Sequence, residues 1–144
     1  QDPNTAYHSS FCNLVFKKEN GPMSDLFDIT LPILLSAVDK QNLQLKDLFR
    51  IRIGLVTRTP EPIVHPAHKD YHTPHKTGLY YLNQADGDTI IYNETKESDK
   101  YSVKESIEPK LNRWYNFDGA HYHSSTTPTQ TEKRIVITFN YETN

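Results

Sequence analysis

His68-Lys69-Asp70 sets an imidazole and a carboxylate two residues apart. On an extended strand residues i and i+2 share a face, so these two side chains project together and Lys69 turns away. One neutral imidazole and one carboxylate are two of the three donors of a two-histidine, one-carboxylate metal site. Such a donor set leaves coordination positions open and suits non-haem Fe(II). The third donor must come from a distant stretch, and His121 and His123 in FDGAHYHSSTTPTQTEKRIVITFNY are the candidates. The His-x-Asp frame is a weak signal by itself. His65, His72 and His75 surround it, and a surface histidine in a His-rich loop would give the same letters.

The second chemical signal is in RIVITFNY, residues 134–141. Strand alternation sends Ile135, Ile137, Phe139 and Tyr141 to one face, and Arg134, Val136, Thr138 and Asn140 to the other. The apolar face needs cover, so the polar face looks into the interior. An arginine there is costly unless an anion meets it. Arg134 therefore reads as the partner of a buried carboxylate.

These residues must be held by surrounding elements. Phe11–Phe16 reads as a short outer strand that ends at the turn residues Asn20-Gly21-Pro22. Ser24 is expected as a helix N-cap, with Asp25 and Asp28 near the positive end of the dipole. Leu26, Phe27, Leu31, Leu34, Leu35 and Val38 recur at helical spacing and give the apolar face that could cover the last strand. Pro32 implies either a kink or two helical pieces. From Phe49 the period becomes two: Ile51, Ile53 and Leu55 alternate with Arg52, Gly54 and Val56. Short strands are then expected at 63–68, 78–83, 88–93, 101–107, 112–117 and 133–142. A helix followed by many short strands reads as a sandwich or barrel covered on one side. Residues 1–10 are expected to be a frayed lead-in.

At 144 residues the chain suits one domain, with residues 1–48 as an N-terminal strand and helix and 49–144 as the β core. Nine Tyr and six Phe fit half-buried strands. A net charge of −2 offers no argument for nucleic acid or an anionic membrane as partner. No apolar run reaches spanning length. Cys12 is the one cysteine, so no internal disulfide can form, which favours a reducing, cytoplasmic setting. The start at Gln1 suggests a processed chain, and the sequence leaves open whether an N-terminal segment is missing. The sequence leaves the oligomeric state open.

Taken together, five elements in order resemble the Fe(II)/2-oxoglutarate-dependent dioxygenases of the prolyl-4-hydroxylase-like branch. They are His68 with Asp70; Tyr80-Tyr81-Leu82-Asn83; Gly87-Asp88-Thr89; Phe117-Asp118-Gly119 with His123; and Arg134 opening the last strand. The likeness spans roughly residues 50–142. It implies a double-stranded β-helix, the cupin-like jelly roll, with one or two N-terminal helices packed on the major sheet. It implies His68, Asp70 and His123 as iron ligands and catalytic residues, since the family places its distal histidine six residues after the phenylalanine. His121 is then a turn residue or a neighbour of the ligands. By the same resemblance Arg134 clamps the distal carboxylate of 2-oxoglutarate, and Tyr81 is its phenol partner. Asn83 and Thr138 share the inward parity of Tyr81 and Arg134 and are candidate further contacts. For Thr89 and Trp114, packing is the plainer reading and pocket lining the other.

The activity implied is hydroxylation of a peptidyl or free amino acid, prolyl among the candidates. Fe(II), 2-oxoglutarate and O2 would be consumed or held, and succinate and CO2 released. The partner is then a peptide or small molecule. The sequence departs from the family at Lys69, where an apolar residue is usual; its outward facing makes that tolerable, and it could also help hold an anionic substrate. Two rival readings remain: the same chemistry on a nucleobase or small metabolite, and a non-catalytic jelly-roll module that binds a metal or ligand.

Overall fold

The computed structural model describes residues 9–144. The lead-in expected over 1–10 lies outside the described residues, apart from Ser9 and Ser10, and Ser10 already begins a strand. The elements in chain order are β1 (Ser10–Lys17), β2 (Gly21–Pro22), α1 (Phe27–Lys40), β3 (Leu45–Thr57), β4 (Lys76–Tyr81), β5 (Thr89–Tyr92), β6 (Val103–Ile107), β7 (Trp114–Asp118), β8 (His123–Ser125) and β9 (Lys133–Thr143). They form a six-stranded sheet in the order β2-β1-β3-β9-β4-β7 and a three-stranded sheet in the order β6-β5-β8. Neighbouring strands pair antiparallel. This is the expected jelly-roll architecture, with one helix among the described residues where one or two were expected.

The larger sheet buries apolar residues on both faces, mixed on the inner one with Arg134, Thr138 and Asn140, and each face has its own cover. On the outer face, Leu34 and Val38 of α1 pack on Val15, Ile51, Ile137, Phe139 and Tyr141. On the inner face, Leu79, Tyr81, Phe117 and Val136 pack on Ile91 and Ile107 of the smaller sheet. The alternation of β9 thus sorts its residues as its sequence indicates, with odd numbers under the helix and even numbers between the sheets.

Helix α1 begins later than its capping signal suggested. Ser24 is not the N-cap: its Oγ accepts the Leu26 N–H at 3.2 Å, and helical geometry starts at Phe27. Thr30 closes the first turn by donating to the Leu26 carbonyl at 2.8 Å. The helix runs through Pro32 as one piece. Asn42, at φ 55°, ends it in the left-handed conformation that asparagine tolerates. None of the described helices is long and apolar enough to cross a membrane.

The stretch 63–68 is not the strand expected. Val64 and His68 make isolated bridges to Thr126 and His123. Pro60, Pro62 and Pro66 remove the backbone donors a continuous ladder would need. The strand on the other side of those bridges, β8, is only three residues long and was not anticipated.

Candidate metal and carboxylate site

The His68–His123 bridge is what gathers the first three residues. Each backbone N–H donates to the other's carbonyl, at 3.0 and 2.9 Å, so the two imidazoles leave neighbouring backbones on one side. Their ring centroids are 4.5 Å apart. Asp70 follows two residues after His68, and its Oδ1 lies 3.6 Å from His68 Nε2 and 3.7 Å from His123 Nε2. One donor atom from each of the three side chains falls within 4.8 Å of the others. Their exposures differ: the His68 side chain is 48% exposed, His123 9% and Asp70 3%.

The surroundings orient these donors. His68 Nδ1 lies 3.1 Å from the Pro66 carbonyl, which fixes the proton there and leaves Nε2 as the free donor. Asn140 Nδ2 donates to Asp70 Oδ2 at 2.8 Å, turning Oδ1 toward the imidazoles. Arg50 Nη2 sits 3.2 Å from Oδ1 as an ion pair, and its Nε donates to Asn140 Oδ1 at 3.0 Å. Burial pushes the Asp70 carboxyl upward, but the two neighbouring imidazoles and the Arg50 charge outweigh it and hold it far below the carboxylate range. Asp70 is therefore an anion. The nearby Asp70 carboxylate raises the His68 pKa above 6.5 against the opposing effect of burial. Two imidazole nitrogens and one carboxylate oxygen, converging from a half-open side, fit a divalent transition metal with free positions.

The cavity behind these donors holds about 90 Å³ and is lined by residues that include Arg52, Thr89, Arg134 and Thr138. Arg134 is 2% exposed, an extreme for a permanent charge. Its Nε donates to the Gly87 carbonyl at 2.8 Å and its Nη2 to Thr89 Oγ1 at 2.6 Å. Neither partner is an acid. The guanidinium lies 5.7 Å from the Tyr81 ring centre, and the Tyr81 hydroxyl shares a 2.7 Å hydrogen bond with Thr89. Burial lowers the Arg134 pKa, yet a guanidinium stays charged at neutral pH. Burial also raises the Tyr81 phenol, which stays protonated and able to donate. Arg134 and Thr89 make a positive end of the cavity, and Tyr81 backs Thr89 from the core without lining the cavity itself.

Thr138 lines the same cavity. Asn83 does not: its Oδ1 accepts the Ile135 N–H at 2.9 Å and its Nδ2 donates to the Lys133 carbonyl at 2.9 Å, so it braces the start of β9. His121 turns the other way, with Nδ1 2.8 Å from the Tyr92 carbonyl and Nε2 3.1 Å from Lys104 Nζ. Trp114 packs under α1 against Phe139 and Tyr141. Lys69 faces away from Asp70, donating to the Thr95 carbonyl at 3.2 Å and lying over the Tyr122 ring. His65 meets Ser125 Oγ at 2.7 Å. His75, one of the histidines around His68 in the sequence, is buried among Phe49 and Tyr71, with Nδ1 2.8 Å from the Thr73 carbonyl. A larger groove of about 570 Å³ lies between α1 and the β4–β7 edge, but its lining contains no His, Asp or Glu.

Arg50, Arg52 and Asn140 were not among the residues singled out from sequence. The signal existed: Arg50 and Arg52 alternate with Ile51 and Ile53, the same pattern that marked Arg134.

No protein-family model matches the chain, and no curated protein sequence does. Solved structures do. The chain is similar to a 2OG-Fe(II) oxygenase family oxidoreductase from Burkholderia pseudomallei, at 14% identity and TM-score 0.64, covering 96% of this chain and 69% of that one. It is similar to a Trichoplax adhaerens prolyl hydroxylase solved with a hypoxia inducible factor peptide fragment, at 18% identity and TM-score 0.59 over 92% of this chain. It spans 62% of that protein's length. A Pseudomonas putida prolyl-4-hydroxylase matches at 12% identity and TM-score 0.52, over 94% of this chain and 70% of that one. What these proteins share with the chain is the fold.

Proposed function

We propose that the chain is an Fe(II)- and 2-oxoglutarate-dependent oxygenase that hydroxylates an amino acid, free or within a peptide, with residues 1–144 as one domain. The observation that carries this reading is the meeting of His68, Asp70 and His123 within 4.8 Å beside a cavity that also holds buried Arg134. A metal-binding module would need the three donors but gives a buried guanidinium nothing to do. The fold shared with two prolyl hydroxylases, one solved with a peptide fragment, favours an amino acid as the group oxidised. A reducing, cytoplasmic setting suits both a ferrous site and the lone Cys12.

Bound Fe(II), 2-oxoglutarate and O2 would supply an oxidative decarboxylation to succinate and CO2 that is coupled to hydroxylation of the substrate. The chain's own residues do the rest. His68 and His123 offer Nε2, and Asp70 offers Oδ1, leaving the remaining positions to small molecules. Asn140 and Arg50 keep Asp70 ionised and correctly turned. Arg134 presents a fork whose partners on the protein are neutral, so it can take a carboxylate with charge-assisted hydrogen bonds. The Tyr81–Thr89 pair holds that fork in place and adds a hydroxyl donor. Leu79, Val56 and Val136 line the stretch between the two ends and keep water from it.

The test is substrate-free turnover. Purified protein with Fe(II) and 2-oxoglutarate in air is expected to form succinate, and His123→Ala or chelated protein to form none. Succinate from His123→Ala at the wild-type rate would sink the proposal.

A further inference from the structure

Arg52 is the charged group on the cavity wall that the reading above leaves without work. It stands on β3 opposite Thr138 of β9, whereas Arg134 stands opposite Val56. Four residues of β9 separate the two registers, roughly 13 Å of strand. Arg52 therefore belongs at the His68–Asp70–His123 end, away from the Arg134 end. Its neighbour on the same face, Arg50, is already engaged by Asp70 and Asn140. Arg52 is not: its Nε is enclosed and has no hydrogen-bond partner among the described residues. Enclosing a charged donor without an acceptor is unfavourable and is relieved when a ligand brings one.

The charges point the same way. The one acid on the cavity wall is Asp70, facing the guanidinium groups of Arg52 and Arg134, with Arg50 behind it. Under the oxygenase reading, on which this inference rests, Arg134 takes the far carboxylate of 2-oxoglutarate. A divalent metal is met by Asp70 and the near carboxylate. Arg52 still has no anion. We propose that Arg52 binds a free carboxylate on the molecule to be oxidised, which makes the substrate a small carboxylic acid of the free amino-acid class, not a residue inside a peptide. The guanidinium fork fits such a carboxylate in two-pronged fashion and has no comparable partner in a neutral peptide group.

The experiment uses the full chain, loaded without oxygen with Zn(II) and 2-oxoglutarate, and titrates it calorimetrically with the common free amino acids and with their amides. At least one free acid is expected to bind, and its amide to bind roughly tenfold to a hundredfold more weakly. Arg52→Met is expected to lose the same factor and Arg52→Lys to recover part of it, with 2-oxoglutarate affinity within about twofold of wild type in both. Succinate release by the Fe(II)-loaded protein in air separates the two readings. If the wild type releases none yet binds an amino acid through Arg52, the carboxylate site stands and the oxygenase reading falls. Absence of binding by every free acid, equally tight binding of the amides, or a loss in Arg52→Met that falls on 2-oxoglutarate instead would overturn the assignment.

Discussion

Arg134 and Asn140 show how much one side chain decides here. Arg134 is held by a carbonyl and a hydroxyl, so its positive charge is buried but not neutralised. Lysine keeps the charge but cannot reach both anchors and a carboxylate at once. Arg134→Lys is therefore expected to weaken 2-oxoglutarate binding by roughly tenfold to a hundredfold. Binding calorimetry on metal-loaded protein reads this directly, and an unchanged affinity would remove Arg134 from the site. Asn140 touches no ligand but sets which Asp70 oxygen faces the imidazoles. Asn140→Ala removes that hold without adding bulk, and metal affinity should fall by about tenfold to a hundredfold. Titration with a competing chelator checks it. At this scale the sequence was legible wherever a residue stood out against its strand. His68, Asp70 and Arg134 did so. Arg50 stood out too, but the job it shares with Asn140, touching Asp70 across the β3–β9 pairing, could not be read, because a register between strands 90 residues apart is not written in either strand alone.

Among the elements, the turn between β4 and β5 governs the Arg134 end. Gly87 has φ 91°, and a Cβ there would lie 2.6 Å from the Thr126 carbonyl oxygen. Its own carbonyl accepts the Arg134 Nε–H. Gly87→Ala thus strains a backbone that cannot give way, and should cost about 2 kcal/mol or more of stability and loosen 2-oxoglutarate. Denaturant unfolding and the 2-oxoglutarate dissociation constant should move together; a stable variant with unchanged affinity would contradict the link. One residue earlier, Asp86 accepts the N–H groups of Thr129, Gln130 and Thr131 and the hydroxyls of both threonines. Burial pushes its carboxyl upward, but those donated bonds outweigh it and hold it well below 3.8. Folded Asp86 binds fewer protons than unfolded Asp86. Its contribution is therefore complete above 3.8 and is lost as pH falls below that toward the folded value. Asp86→Asn should cost about 1–2 kcal/mol near neutral pH, discounted for its access to water, and the gap to wild type should narrow in acid. Paired unfolding curves across that range test it. Asp86-Gly87 was legible as a turn, but its grip on the loop before β9 was not, because the loop is 43 residues away.

The whole molecule is a sheet covered twice, and the second cover makes the site. Helix α1 seals one face of the six-stranded sheet, while the smaller sheet closes over the other and brings β8, with His123, to Asp70. Alternation in the sequence identified both faces. It did not foresee that a bridge at His68 replaces a strand, since the partner of that bridge, His123, is 55 residues away in the sequence. This assembly gives the metal donors to the folded state alone. His68 and Asp70 share one segment, but His123 lies 53 residues after Asp70, so the unfolded chain has no comparable three-donor site. A metal at a hundred times its dissociation constant should then add about 2.7 kcal/mol, which for a chain this long is roughly 8 °C in melting temperature. The two ends of the cavity should also be thermodynamically coupled. In metal-free protein, 2-oxoglutarate has Arg134 for one carboxylate and meets Asp70, an anion, at the other end. With a metal bound, the second carboxylate gains a cation instead. Addition of 2-oxoglutarate should therefore raise the melting temperature of the metal-loaded protein by several degrees more than that of the chelated protein. Linkage requires the metal to bind more tightly in its presence by the same factor. Equal stabilisation with and without metal would mean that the Arg134 end and the His68–Asp70–His123 end serve separate ligands, and one shared pocket would no longer describe this protein.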